Sequence, residues 1–301
     1  MSKPSSTAVS ETRSLAVAAV VVTHERRDLL RECLLALEVQ TRPVEGVLVI
    51  DTASADGTGD MVRAEFPGAQ YVYLTDNVGG AGGFLEGMSR AHAQGFDWLW
   101  LMDDDTIATP TALAELLRPL DEPNGLPTPQ VLASRVVWTD QRLHPKNFPA
   151  PRLDESSNDH FVEAVGQGLL PIRLASFVSV LISRPAIERH GLPDARYFMW
   201  GDDGEYTARI LKDGVGYTVP ASIVNHKTAA LSSVHLDRSG RYYYEVRNKL
   251  WQMRSDSFTS REKIHLLIAT LMGVWIFLGH NRLRHGSLPL LARAVRDGLR
   301  G

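Results

Sequence analysis

The feature that most constrains the fold of this sequence is a regular alternation of apolar runs and helical patterns over its first hundred residues. Apolar runs at 15–23, 46–51, 69–74 and 97–102 are the predicted strands, and a segment with helical spacing follows each of the first three. Strands covered by helices on both faces are apolar throughout, and this alternation is typical of a parallel sheet with right-handed crossovers. The pattern therefore predicts an α/β fold with a doubly wound, mostly parallel sheet.

Downstream of this region the sequence is less regular. Stretches rich in Pro, Asn, Asp and Ser at 121–129 and 146–158 indicate loops, where substrate-specific elaborations are commonly found. A strand or strand pair is predicted at 174–183, a loop and helix at 196–214, and further strands that end at His226. We therefore expect an added, less regular region beside the sheet, followed by C-terminal helices.

Composition narrows the possible functions. The net charge is −3 and no basic run is interleaved with aromatic residues, so nucleic-acid binding is not expected. The single cysteine, Cys33, cannot form an internal disulfide, which fits a reducing, cytoplasmic compartment. Residues 1–13 lack an apolar core, and we expect a disordered start there rather than a signal peptide.

Polar residues stand at the ends of the four predicted strands: Thr23, Asp51, Asn77 and Asp103. In a parallel α/β sheet, ligands bind at the carboxyl ends of the strands. Any one of these residues could solvate a loop or cap a helix. Their coincidence at four successive strand ends predicts a shared binding site.

A glycine-rich stretch, NVGGAGGF, follows the third strand and contains Gly79, Gly80, Gly82 and Gly83. A loop without Cβ atoms lets backbone N–H groups approach a pyrophosphate at a helix N-terminus. The stretch lacks the spacing of a P-loop, and the dinucleotide fingerprint GxGxxG is absent after the first strand. A P-loop NTPase and a nicotinamide oxidoreductase are therefore disfavoured.

Three consecutive aspartates, Asp103, Asp104 and Asp105, follow the apolar run WLWLM without a spacer. Crowded carboxylates repel one another, and a hard cation such as Mg²⁺ or Mn²⁺ relieves that repulsion. Alternate residues of an extended segment point the same way, so Asp103 and Asp105 are expected to share a metal while Asp104 faces another part of the ligand. The competing interpretation is a solvated acidic turn.

A second acidic cluster, WGDDGEY, contains Trp200, Asp202 and Asp203. A carboxylate here could act as a general base, and the aromatic residue before it could pack on a substrate. A charged first helical turn, favoured by the helix dipole, would explain the same residues without function. His226, at a predicted strand end, is open between a metal ligand and a structural histidine.

Together these motifs resemble the family 2 inverting glycosyltransferases, which have the glycosyltransferase A fold. The resemblance spans residues 20–251, and its motifs stand in the family's order: VVVTHERRDLLRECLLALEVQT, VLVIDTASADGT, NVGGAGGF, WLWLMDDD, FMWGDDGEYTARI and YYYEVRNKL. Within the family, the combination is most similar to the actinobacterial galactofuranosyltransferases that initiate cell-wall galactan. A rhamnosyltransferase branch shares much of the pattern.

The resemblance implies a role for each candidate residue. It implies that Thr23 and Asp51 bind the nucleoside, and that residues 77–83 contact the pyrophosphate or the sugar. Asp104 would contact the donor sugar, and Mn²⁺ or Mg²⁺ would be bound by Asp103, Asp105 and His226. Asp203 would be the catalytic base, with Asp202 as the fallback. The implied reaction is a single displacement, in which the base takes the proton of the acceptor hydroxyl and the anomeric centre inverts.

The resemblance also implies substrates and a location. The expected donor is UDP-galactofuranose, with dTDP-rhamnose as the alternative, and the expected acceptor is a polyprenyl-diphosphate-linked or other cell-envelope glycan. Such an acceptor would bring the enzyme to the inner face of the plasma membrane. The apolar segment 266–279 is shorter than the roughly 20 residues of a membrane span, so we expect it to lie on the membrane surface. Basic residues follow it: Arg282, Arg284, Arg293, Arg296 and Arg300. A core helix, or an interface helix of a homo-oligomer, is the alternative.

Four parts of the chain follow from this interpretation. They are a disordered start at 1–13, a nucleotide-sugar half at 14–118 and an acceptor and base half at 119–237 of one catalytic domain, and a helical region at 238–301.

Two functions of other classes compete with a glycosyltransferase. A sugar nucleotidyltransferase would need glycines directly after the first strand, where THERRD has none. A non-catalytic nucleotide-sugar binding subunit would not need both acidic clusters.

Overall fold

The structure is a computed structural model that describes residues 15–121, 125–147, 149–152, 158–229, 240–281 and 286–300. The predicted disordered start at 1–13, the predicted boundary at 237/238 and the arginines Arg282 and Arg284 lie outside these ranges.

Within the described ranges, ten strands form one sheet. The strands are β1 (Val17–Thr23), β2 (Gly46–Thr52), β3 (Gln70–Leu74), β4 (Trp98–Asp103), β5 (Thr106–Ala108), β6 (Val131–Val137), β7 (Ala150–Pro151), β8 (Leu170–Leu174), β9 (Val180–Ser183) and β10 (Gly216–His226). The helices are α1 (Arg27–Glu38), α2 (Thr58–Glu65), α3 (Gly79–Ala93), α4 (Ala112–Asp121), α5 (Asn158–Gly166), α6 (Arg184–His190), α7 (Asp202–Ile210), α8 (Tyr242–Arg254), α9 (Ser260–His280) and α10 (Ser287–Arg300).

The first four strands pair in parallel in the order β3, β2, β1, β4, as the alternating pattern predicts. The sheet continues through β9, β6, β10, β8 and β7, and β5 pairs with β10. In this second half β6 and β10 are parallel, whereas β9 runs antiparallel between β4 and β6. The predicted α/β fold with a mainly parallel central sheet is confirmed.

Helices cover both faces of the sheet. The odd-numbered residues of β1 from Val17 to Val21 pack with α1, α2 and α4. The even-numbered residues from Ala18 to Val22 pack with α3, α6 and α7. Because both faces of β1 are buried, the strand has no polar side chain before Thr23.

The glycine-rich stretch does not form the predicted loop, because α3 begins at Gly79 and the glycines are its first turns. A Cβ on Gly83 would lie 2.5 Å from a methyl carbon of Val22, and one on Gly87 would lie 2.4 Å from Val20. Helix α3 therefore approaches β1 so closely that only hydrogen fits at these positions.

The C-terminal helices α8, α9 and α10 share a small core of their own, in which the rings of Tyr242 and Phe277 stack 4.2 Å apart. Helix α9 has 21 residues and exceeds the apolar segment 266–279. In the described part of the chain, it is the one helix long and apolar enough to cross a membrane by length and composition. The apolar segment 266–279 is therefore part of a longer helix than the sequence pattern indicates.

Candidate active site

A cleft of about 930 Å³ opens where β1 and β4 end, between the start of α3 and the segment before α7. Eleven of the fourteen predicted site residues line it: Thr23, Asn77, Gly79, Gly80, Asp103, Asp104, Asp105, Trp200, Asp202, Asp203 and His226. The strand ends form one wall of the cleft, and the acidic start of α7 belongs to the other.

Pairing of β5 with β10 places His226 beside the triple aspartate. In this antiparallel pair His226 lies opposite Thr106, one residue after Asp105. The Nε2 atom of His226 is 2.9 Å from Oδ1 of Asp105 and 4.0 Å from Oδ2 of Asp103. One ligand atom from each of the three residues lies within 4.8 Å of the others, so Asp103, Asp105 and His226 form a group that could hold a metal ion.

The chemistry of this group fits a divalent cation. The Nδ1 atom of His226 lies 2.9 Å from Oδ1 of Asn147. An amide oxygen only accepts, so Nδ1 donates to it. Nε2 then points at Oδ1 of Asp105, a buried oxygen with no other hydrogen-bond partner. A cation bound by the two carboxylates would take Nε2 as a third ligand, and an orienting bond to the far ring nitrogen is typical of ligating histidines.

Asp104 is not in the metal group and contacts residues at the end of β1 and just after it. Its Oδ2 accepts a hydrogen bond from Oγ1 of Thr23 at 2.8 Å, and its Oδ1 one from Nη1 of Arg26 at 3.1 Å. The same guanidinium donates to Oδ2 of Asp105 at 2.8 Å. Burial raises the pKa of Asp104 to about 6, although Arg26 counteracts it. Arg26 was not predicted, and the only signal for it is its position just after the first strand.

Asn77 joins the end of β3 to the end of β1 across the cleft. Its Oδ1 accepts a hydrogen bond from the backbone N–H of Gly79 at 2.9 Å, and its Nδ2 lies 3.0 Å from Nε2 of His24. The other ring nitrogen of His24 donates to the carbonyl of Thr52 at 2.7 Å, so Nε2 is the acceptor. His24 was also missed, although it stands at a strand end beside Thr23.

The structure does not bring Asp51, Gly82 and Gly83 into the cleft. Asp51 is fully buried and accepts hydrogen bonds from the N–H of Ser54 at 2.8 Å and the hydroxyl of Tyr71 at 2.6 Å. The α-carbon of Gly82 faces Val78, and that of Gly83 faces β1 and β2. Unlike Gly79 and Gly80, these glycines serve the packing of α3.

The acidic cluster opens α7 directly after Gly201, a residue with φ of 86°. Oδ1 of Asp203 accepts the N–H of Gly204 at 2.6 Å. Burial raises the pKa of Asp203. Burial, reinforced by the charge of Asp203, also raises the pKa of Asp202.

A second cavity of about 350 Å³ adjoins the cleft on the side of α8 and α9. The two cavities share residues that include Trp200, Asp203 and Glu245. From Asp203 the second cavity extends past Lys249 to Leu266 of α9. Asp203 thus faces two spaces, whereas Asp202 lines the first alone.

A doubly wound sheet with acidic strand ends, a close Asp–Asp–His group and a second carboxylate across the cleft defines a glycosyltransferase of the A fold. The chain belongs to glycosyl transferase family 2, whose sequence model matches residues 18–191. It is a glycosyltransferase and not a sugar nucleotidyltransferase. The match ends before both His226 and the Asp202–Asp203 pair.

Two relatives have sequences similar to this chain over most of its length. Galactofuranosyltransferase GlfT1 of Mycobacterium tuberculosis (strain ATCC 25618 / H37Rv) is 31% identical over 265 residues, covering 77% of this chain and 80% of the relative. Galactofuranosyltransferase GlfT1 of Mycolicibacterium smegmatis is 33% identical over 222 residues, covering 68% of each.

Solved structures confirm the fold. TarS 1–349 of S. aureus, in complex with UDP, superimposes with a TM-score of 0.64 at 13% identity, covering 95% of this chain and 80% of TarS. Mannosyltransferase PcManGT of Pyrobaculum calidifontis, in complex with GDP-Man and Mn²⁺, gives a TM-score of 0.57 at 18% identity, covering 99% and 84%.

Proposed function

We propose that this enzyme transfers galactofuranose from UDP-galactofuranose to a lipid-linked or other cell-envelope glycan, with inversion at the anomeric carbon. The observation that carries the proposal is the joint placement of Asp203 and the Asp–Asp–His group in one cleft. The choice of sugar is supported by 31–33% identity to galactofuranosyltransferases over most of the chain.

Asp203 is the proposed general base. Its burial raises its pKa, which makes the ionised carboxylate a stronger proton acceptor than an exposed one. Asp203 takes the proton of the acceptor hydroxyl while that oxygen forms a bond to the anomeric carbon. The bond between this carbon and the diphosphate breaks in the same step, and UDP leaves on the opposite face. Asp202, which does not reach the second cavity, takes no proton in this scheme.

The residues proposed to hold the cation are Asp103, Asp105 and His226. Imidazole is a less usual ligand for Mg²⁺ than for transition metals, so the set favours Mn²⁺. When bound, the cation would neutralise charge that develops on the leaving diphosphate. Arg26, bonded to Asp105, keeps that carboxylate oriented toward the group.

The donor can be tested by thermal shift with UDP-galactofuranose and dTDP-rhamnose, each with and without Mn²⁺. A ligand that binds only the folded state raises the melting temperature by mass action. We expect an Mn²⁺-dependent rise with UDP-galactofuranose alone, and loss of the Mn²⁺ increment in Asp105→Asn. A rise with dTDP-rhamnose alone would make the enzyme a rhamnosyltransferase, and no metal-dependent rise with either donor would contradict the proposed site.

The second cavity is the proposed acceptor site, because it connects Asp203 with α9. Lys249 lines this cavity but not the first, and its Nζ lies 2.6 Å from Oε1 of Glu245. An anionic diphosphate on the acceptor would have a cationic partner there. Lys249→Ala should raise the acceptor KM and leave the donor KM unchanged. The control is Lys212→Ala, whose Nζ donates to the carbonyl of Asp256 outside both cavities. Equal effects on both substrates would argue against an acceptor site.

Helix α9 is the proposed membrane-surface contact. One face packs on the C-terminal core through Thr270, Gly273 and Phe277. The opposite face carries an exposed apolar stripe at helical spacing, formed by Ile264, Leu267, Ile268, Leu271, Met272, Trp275 and Ile276. Exposed arginines on α10 add positive charge: Arg293, Arg296 and Arg300. An apolar stripe flanked by cations fits an anionic leaflet, and the packed inner face favours lying on it over crossing it.

Sedimentation with phosphatidylglycerol or phosphatidylcholine vesicles tests this contact. The wild-type protein should bind the anionic vesicles, and Leu271→Glu/Trp275→Glu should not. Val162→Glu, which changes an exposed apolar residue of α5, is the matched control. If the stripe variant instead turns a dimer into a monomer in analytical ultracentrifugation and vesicle binding is absent, α9 is an oligomer interface.

A further inference from the structure

The segment that leads into the catalytic carboxylates has an unusual backbone. Within residues 196–201, φ is positive at Phe198 (63°), Trp200 (62°) and Gly201 (86°). Positive φ is disfavoured for residues with a Cβ atom and is costly for bulky side chains. Such conformations persist only where the surrounding structure holds them.

Phe198 is the most constrained residue of this segment. With φ of 63° and ψ of −59°, it is the centre of a γ-turn in which the N–H of Met199 donates to the carbonyl of Tyr197 at 2.7 Å. A γ-turn with positive φ is rare and strained. The conformation of the segment therefore depends on contacts made from outside it.

Asn248 of α8 supplies three of these contacts. Its Nδ2 faces the carbonyl oxygens of Tyr197 at 3.0 Å, Met199 at 2.7 Å and Trp200 at 2.7 Å. The side chain is only 2% exposed, so water cannot replace the amide as a donor.

Two other residues of α8 also donate hydrogen bonds to carbonyls of this segment. Nη2 of Arg247 donates to the carbonyls of Arg196 at 2.9 Å and Tyr197 at 2.8 Å. Nε2 of Gln252 donates to the carbonyl of Gly201 at 2.9 Å. Five of the six successive carbonyls of residues 196–201 thus receive a donor from α8.

The remaining carbonyl is bound from the opposite wall of the cleft. The N–H of Ala81, in the first turn of α3, donates to the carbonyl of Phe198 at 3.1 Å. A Cβ on Gly79 would clash with that oxygen, so a glycine is needed here for contact as well as for its φ of 70°. Residues 196–201 are therefore held between the start of α3 on one side and α8 on the other.

We infer that Asn248 is a positioning residue whose buried amide holds residues 196–201 in the strained conformation that presents Asp203 to the cleft. The inference rests on the proposed role of Asp203, since Asn248 acts through that carboxylate. It makes α8 part of the catalytic unit, although α8 lies beyond the residues that the family model matches.

The test combines Asn248→Ala and the isosteric Asn248→Asp, whose carboxylate has no N–H to donate. Turnover is followed as UDP release from UDP-galactofuranose with Mn²⁺ and a short-chain prenyl-diphosphate disaccharide. We expect kcat to fall about 10- to 100-fold, from the usual cost of backbone strain. The donor KM should stay within about twofold, because the strand ends proposed to bind the donor are unchanged. In an Asp203→Asn background, Asn248→Ala should cause no further loss, since both changes remove one function.

The matched control is Asn281→Ala, which removes a buried amide that donates to the carbonyl of Phe277 at 3.0 Å, away from the cleft. Asn281→Ala should lower the melting temperature without changing kcat. If Asn248→Ala does not fold, Gln252→Ala removes a single contact and should lower kcat several-fold. An unchanged kcat, or losses that multiply in the double variant, would overturn the inference. Full turnover in Asp203→Asn would show that Asp203 is not the base. A fall of kcat in Asn248→Ala would then still show that Asn248 supports turnover, but not through Asp203.

Discussion

The two walls of the cleft are built in different ways. On the donor wall, regular parallel strands end side by side, and the register of β1 and β4 brings Thr23 and Asp103 together. On the base wall, a strained segment is fixed by side chains of α8, which lies some fifty residues further along the chain, as in the contact between Asn248 and Trp200. Donor-wall geometry thus follows from backbone pairing, whereas base-wall geometry depends on single side chains.

This difference has a practical meaning for substitutions. Changes on the donor wall should act through metal binding or through packing of α3, and changes on the base wall should act on turnover. The variants below separate these effects, from the largest expected effect to the smallest.

Asp203→Asn should lower kcat by about 10²- to 10⁴-fold, the usual contribution of a general base, while UDP-galactofuranose binding persists. The matched variant is Asp202→Asn. Since Asp202 lines the first cavity alone and is not the proposed base, turnover should remain within a few-fold of wild type. Steady-state kinetics and calorimetric donor binding measure both effects. A larger loss in Asp202→Asn would transfer the base to that residue.

The pH profile tests the same carboxylate in the wild-type enzyme. A base must be ionised, so kcat should fall as the pH drops through the pKa of Asp203, which burial raises. The fall should begin at a higher pH than for an ordinary aspartate. An acid limb at the usual aspartate pKa would indicate an exposed base.

Asn147→Ala should weaken Mn²⁺ binding by about 10- to 100-fold, although Asn147 is not a proposed ligand, because it orients the ring of His226. Calorimetric titration with Mn²⁺ measures the affinity. Asn225→Ala is the control, since Asn225 adjoins His226 in β10 and bonds to Gln141 outside the cleft. Equal Mn²⁺ affinity in the two variants would exclude an orienting role.

Gly83→Ala should destabilise the fold by about 1–3 kcal/mol, since a Cβ would press against Val22. Gly80→Ala, three residues earlier in the same helix, meets no atom within 4 Å and should be neutral or slightly stabilising. Urea denaturation measures both. Similar values for the two variants would mean that α3 does not pack on β1 as closely as described.

Thr259→Ala should cost about 1 kcal/mol by removing the cap of α9, in which Thr259 accepts the N–H of Glu262 and Glu262 accepts the N–H of Thr259. The cap lies apart from residues 196–201, so kcat should not change. A fall in kcat would extend the positioning role from α8 to α9.

The sequence predicts the donor wall well, because both signals there are local. An apolar run gives each strand, and the polar residue after it gives the strand end, which located Thr23, Asn77 and Asp103. In the metal group, the residue pattern suggests Asp103 and Asp105, whereas His226 joins them only through the resemblance to the family. The contact between His226 and Asp105 depends on the pairing of β5 with β10, which no local pattern gives.

Other parts of the site depend on long-range packing that composition does not reveal. A glycine-rich stretch suggests a loop, but close packing against β1 makes it a helix and turns Gly83 away from the cleft. Asp51 stands at a strand end, yet Tyr71 of the next strand binds it inside the protein. Asn147 lies in a loop and Asn248 in α8, and no local sequence pattern gives the position of either element relative to the cleft.

The insertion of β9 between β4 and β6 constrains the order of folding during synthesis. Trp98 of β4 pairs with Ser183 of β9, so this apolar strand waits for more than eighty further residues before its second edge is closed. Open apolar edges promote association between chains. A ribosome that stalls between these strands would release a chain prone to aggregate.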